Sequence, residues 1–195
     1  MAQGLDLTHL DTWIRPHVPE FQGPLTAEKF SGGQSNPTFK LTAGDRQYVL
    51  RRKPLGTLLA SAHAVDREFK ALTALSATNV PLPVPVALCE DETIIGSMFY
   101  VMEYLEGRIF WDPALPEVND ADRGEIYDQM NKVLADMHNV DIHAVGLSDL
   151  LKPGNYFERQ IGRWSKQYVA SKTQDIPEME KGGPTRDQRS CRSAL

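Results

Sequence analysis

Four groups of residues in this chain are of types that handle phosphate and a purine. The first is the turn Ser31-Gly32-Gly33-Gln34-Ser35-Asn36, which sits between two strand-like segments. Glycines there let backbone N–H groups approach a phosphate closely. The second is Tyr48-Val49-Leu50-Arg51. Strand alternation sets Val49 and Arg51 on one face, a small apolar group for a base and a cation for phosphates. Arginine suits that work because its guanidinium donates to phosphate in a bidentate fork. Lys53 shares the face as a second cation. The third is Glu68, a carboxylate on a helix downstream of that strand, where it can hold the strand cation in place. The fourth runs from Phe99 to Gly107, an apolar strand that becomes a polar, glycine-ended linker. Its main chain near Met102, Glu103 and Tyr104 can offer N–H and C=O groups to a purine edge. Each group has a plainer alternative: a hairpin turn, a solvated strand end (above all for Arg52), a solvated helix glutamate, a core strand.

The elements that must position them follow from periodicity. Leu7, Leu10 and Ile14 predict a leading helix over 5–18. Strands are expected at 28–30, 38–42 and 47–52, with Ala43-Gly44-Asp45 as a hairpin turn and Phe39 and Leu41 on one face. Val65, Phe69, Leu72 and Leu75 predict a helix from Ser61, its N-cap, to Ala77. Three prolines between 81 and 85 force an extended connection, and strands follow at 86–89 and 98–104. Beyond lie helical stripes, Ile126, Met130, Val133, Leu134 and Met137, then Phe157, Ile161, Trp164 and Tyr168. From Gly182 the composition turns polar and arginine-bearing, and residues 182–195 are expected to be disordered.

The fold class expected is α+β: a five-stranded antiparallel sheet with one packed helix, followed by the first helices of a helical part. Residues 1–105 form the first part and 106–181 the second. A net charge of −5 gives nucleic acid or an anionic membrane no electrostatic attraction. The N-terminus shows no secretory pattern and no apolar run reaches spanning length. Cys89 and Cys191 stand far apart without metal-spaced partners, which fits a reducing, cytoplasmic setting.

The order strands, helix, strands, helices is that of a kinase-like N-terminal lobe. The segments 30–39, 48–54, 66–69 and 99–103 resemble successive signatures of the aminoglycoside phosphotransferase-like family, in the branch found alone or fused to acyl-CoA dehydrogenases. Residues 134–138 and 164–168 are similar to its later helices. The resemblance implies a protein-kinase-like fold, MgATP as donor and phosphorylation of a hydroxyl on a small molecule, with a hydroxyacyl compound expected as acceptor ahead of an aminoglycoside.

The family's catalytic loop reads His-Gly-Asp with an Asn five residues after the Asp, and a later Asp binds the metal. None of Asn36, Asn79, Asn119, Asn131, Asn139 and Asn155 has an Asp five places before it, and His-Gly-Asp does not occur. The lookalike His138-Asn139-Val140-Asp141 reads as a helix terminus. A chain cut short before its catalytic loop, by frameshift, early stop or fragmentation, is therefore expected. It should lack kinase activity and associate through uncovered helices. The alternatives are a non-catalytic module binding nucleotide or a partner, and a plain α+β domain.

Overall fold

The computed structural model describes residues 4–31, 36–56, 64–151 and 154–180. The expected glycine-turn residues 32–35, the expected helix cap Ser61 and the tail 182–195 lie outside them. Backbone contacts divide the chain into two units, Met1–Ser148 and Asp149–Leu195.

The first unit is built on five strands: β1 (Leu25–Lys29), β2 (Thr38–Ala43), β3 (Arg46–Arg52), β4 (Pro85–Cys89) and β5 (Phe99–Glu103). They form one antiparallel sheet in the order β1-β2-β3-β5-β4. The β2–β3 hairpin closes through Gly44 and Asp45. Gly44 has φ +59°, the backbone that a first central position of a type II′ turn demands. A Cβ there would meet the Gln22 carbonyl oxygen at 2.9 Å, so the site accepts only glycine.

Alternation sorts the strand residues onto two faces. Phe39, Leu41, Ala43, Leu50, Phe99 and Val101 face the main core. Helix α1 (Leu7–His17) covers them with Leu10 and Ile14, both fully buried, and Val18 and Phe21 continue the cover beyond it. Asp6 caps α1 by accepting from the N–H groups of Thr8 and His9. Helix α2 (Val65–Leu75) lies against β4 and β5. It starts later than the periodicity suggested, with Ala64 in the N-cap position. The single packed helix expected from sequence is therefore joined by a second, because the leading helix supplies the core's cover.

Helix α3 (Asp120–His138) is capped by Asn119 and has no buried residue. The second unit holds α4 (Tyr156–Ser171), capped by Asn155, and the short α5 (Pro177–Glu180).

Candidate nucleotide site

The face of the sheet opposite the main core carries the candidate site. Register sets Arg51 across from Tyr100 and Val49 across from Met102, with Lys40 beside Val49 on β2. Val49 is 7% exposed, so the apolar floor is covered by its neighbours. Tyr104 continues the β5 alternation past Met102, and the Lys40 ammonium lies 4.4 Å from its ring centroid.

Arg51 and Glu68 are brought together from β3 and α2. Arg51 Nε lies 2.7 Å from Glu68 Oε2, with the two side chains 33% and 36% exposed. The Nε–H is buried and not aimed at the oxygen, so the contact is coulombic rather than an aligned hydrogen bond. Two more donors reach the same carboxylate. Asn36 Nδ2 donates to Oε1 at 3.0 Å and the Tyr100 hydroxyl donates to Oε2 at 3.2 Å. Burial pushes the Tyr100 phenol well above its ordinary range, and the Glu68 charge adds to the shift.

Glu103 has a structural task. Its N–H donates to the Val84 carbonyl at 2.8 Å and its carboxylate accepts the Val84 N–H at 3.2 Å. It therefore ties the chain ahead of β4 to β5, and its own N–H is already used. Among the site residues read from sequence, Asn36, Val49, Arg51, Glu68, Met102, Glu103 and Tyr104 lie on or beside this patch. Gly32, Gly33, Gln34 and Ser35 lie outside the described residues. Sequence reasoning missed Tyr100, although it stands two residues before Met102 and shares its face.

Arg52 corrects the expectation of a solvated strand end. It is 2% exposed and points to the other side, where Nε donates to Ser97 Oγ at 3.0 Å and Nη1 to the Gly4 carbonyl at 3.4 Å. Burial lowers its pKa. The segment 138–143 is a helix end. Asn139 is the C-cap of α3, Asp141 accepts the N–H groups of His143 and Ala144, and His143 Nδ1 lies 2.8 Å from Ser148 Oγ. Cys89 is buried and its thiol is pushed up by burial. Among the described residues no group of three or more His, Cys, Asp and Glu side chains is placed to hold a metal. No helix among them is long and apolar enough to cross a membrane.

An antiparallel five-stranded sheet whose third strand ends in a cation paired to a helix carboxylate is a kinase-like N-terminal lobe. The family model described as "Phosphotransferase enzyme family" (APH) matches residues 26–185, and the chain belongs to that family. It is 49% identical over 159 residues to acyl-CoA dehydrogenase family member 10 of Mus musculus, covering 82% of this chain and 15% of that protein. It is 44% identical over 179 residues to acyl-CoA dehydrogenase family member 11 of Rattus norvegicus, covering 90% and 23%. A crystal structure of a "putative aminoglycoside phosphotransferase" from Ralstonia eutropha matches with a TM-score of 0.71 at 50% identity, covering 90% of this chain and 51% of that one. The chain thus spans about half the solved neighbour and less than a quarter of these two curated relatives. Relatives named for acyl-CoA dehydrogenases agree with the branch that the sequence motifs resemble.

Proposed function

We propose that this chain is the nucleotide-binding half of an ATP-dependent small-molecule phosphotransferase whose acceptor is a hydroxyl group, in this branch on a hydroxyacyl compound. The observation that carries the reading is the Arg51–Glu68 contact of 2.7 Å on the face that also bears Val49 and Met102. An apolar floor beside a carboxylate-held cation fits a base and its phosphates. Arg51 takes the phosphates through its guanidinium, Glu68 keeps it in place, and the main chain after Met102 takes the adenine edge. Because the Glu103 N–H is already committed to Val84, that edge uses the Glu103 carbonyl and the residues beyond it. When bound, MgATP supplies the transferable phosphoryl group and the metal's charge. The setting proposed is cytoplasmic, with a nucleotide and a small acceptor as partners and neither nucleic acid nor membrane.

The 195 residues contain no His-Gly-Asp and no Asp five places before an Asn. Positioning and metal-borne charge carry phosphoryl transfer, so this chain alone is expected to turn over no ATP. Calorimetric titration with ADP and ATP tests the binding half. Arg51→Ala and Glu68→Ala should each weaken affinity by about tenfold, a typical worth for a charge-assisted contact. Affinity unchanged in both would sink the reading. Turnover of ATP with a hydroxyl acceptor would sink the claim of inactivity. The same missing motif favours one rival, a non-catalytic nucleotide- or partner-binding module. An ordered chain that binds nucleotide and never completes transfer, even alongside the rest of a family domain, would favour that rival.

A further inference from the structure

We infer that Tyr100 and Asn36 are positioning residues for the Arg51–Glu68 pair, holding both oxygens of the Glu68 carboxylate so that Arg51 is presented in one pose. The inference rests on the proposed role of Arg51 in phosphate binding and goes beyond it by naming what fixes the pair.

A glutamate on a helix flank that is 36% exposed keeps several rotamers, and ordering them costs side-chain entropy. The Arg51 contact alone, off the N–H axis, is a weak restraint on direction. Here each carboxylate oxygen has its own neutral donor. Asn36 Nδ2 reaches Oε1 at 3.0 Å and the Tyr100 hydroxyl reaches Oε2 at 3.2 Å, the oxygen that Arg51 approaches. A carboxylate only accepts, so the Asn36 amide must present its nitrogen and the phenol its proton.

Both donors are themselves buried. Asn36 is 4% exposed and Tyr100 is 3% exposed. Tyr100 stands across from Arg51 in the β3–β5 register. Its ring lies 5.8 Å from that of Phe69, the residue after Glu68 on α2. The helix and the strand therefore meet at one carboxylate through three contacts, from Arg51 on β3, Tyr100 on β5 and Asn36 just ahead of β2. The raised phenol pKa keeps the Tyr100 donor protonated over the working range.

The test is a double-mutant cycle on the full chain, read as ADP affinity by calorimetry. Tyr100→Phe keeps the ring and removes only the hydroxyl, so folding is retained. It should weaken ADP binding by about fivefold in the wild-type background and by less than about twofold in a Glu68→Ala background, because coupled residues are non-additive. Asn36→Ala should follow the same pattern. Equal losses in both backgrounds, or no loss in either, would overturn the inference. A wild-type chain that binds no ADP would instead sink the proposed function. The same cycle is then read on the unfolding equilibrium. Coupling of about fivefold between Tyr100 and Glu68 supports the clamp, and strictly additive effects overturn it.

Discussion

Arg51 and Arg52 are sequence neighbours whose side chains end on opposite faces of one sheet. Arg51 Nε meets Glu68 at 2.7 Å, while Arg52 Nε meets Ser97 Oγ at 3.0 Å on the side of Gly4. The period of two explains the split. The face, not the residue type, decides which arginine meets the Glu68 carboxylate and which is spent on packing.

That split predicts how Arg52 responds to substitution. Among the described residues its partners are neutral oxygens, those of Ser97, Lys53 and Gly4. The Ser97 hydroxyl also donates to the Lys53 carbonyl at 2.9 Å, so losing Arg52 does not strand that carbonyl. A buried charge without a carboxylate can be replaced by an apolar chain of similar length at little cost. Arg52→Met should therefore shift stability by less than about 1 kcal/mol, whereas Arg52→Ala should lose about 3 kcal/mol to the cavity. Denaturant midpoints check both, and a large loss in Arg52→Met would contradict the account.

Much of this was legible in the sequence, and the gaps have physical causes. Alternation set Val49 with Arg51 and Phe39 with Leu41, and the register agrees. The α2 stripe at Val65, Phe69, Leu72 and Leu75 was clear because apolar groups recur at helical spacing. What was not legible depended on partners distant along the chain. Arg52 looked solvated because nothing local says that the leading helix and residue 4 come back over β3. Tyr100 looked like core because its hydroxyl acquires meaning only when α2 brings Glu68 beside it. Glu103 looked like a hinge donor until the strand register gave its N–H to Val84.

The Tyr100 phenol predicts a pH dependence of stability. Its pKa is raised in the folded state from the ordinary 10.0, chiefly by burial and then by Glu68. Above about pH 10 the unfolded chain releases this proton while the folded chain keeps it. The folded state then binds more protons, so unfolding becomes easier as pH rises. The contribution is whole below about pH 10 and is lost above it. Tyr48 is shifted upward too, mainly by burial, and adds in the same direction. Urea midpoints from about pH 8 to about pH 11 should fall for the wild type and fall less steeply for Tyr100→Phe. Identical slopes would show that Tyr100 titrates as an ordinary phenol.

Helix α1 should be integral to the first unit rather than an appendage. Leu10 and Ile14 have no exposed surface and share a core with Leu41, Leu50, Phe99 and Val101. Trp13 adds an edge-to-face contact on Phe99 with centroids 4.9 Å apart. Leu10→Ala should cost about 3 kcal/mol, within the usual range for a buried leucine. Chemical denaturation measures it, and a loss under about 0.5 kcal/mol, typical of a surface site, would detach α1 from the core.

Helix α3 should behave in the opposite way, because its apolar stripe is uncovered. Met130 is 59% exposed, Leu134 51% and Met137 49%, and with Ile126, Val133 and Phe110 they line one open groove. Apolar surface of this kind drives association when nothing covers it. Since the groove contributes little to the folded state, Met130→Gln and Leu134→Gln should each change stability by less than about 0.5 kcal/mol. Together they should reduce hydrophobic-dye binding and self-association, measured by dye fluorescence and sedimentation. A stability loss above about 2 kcal/mol would mean that these side chains are packed in solution, and the stripe would then belong to a core rather than to an open face.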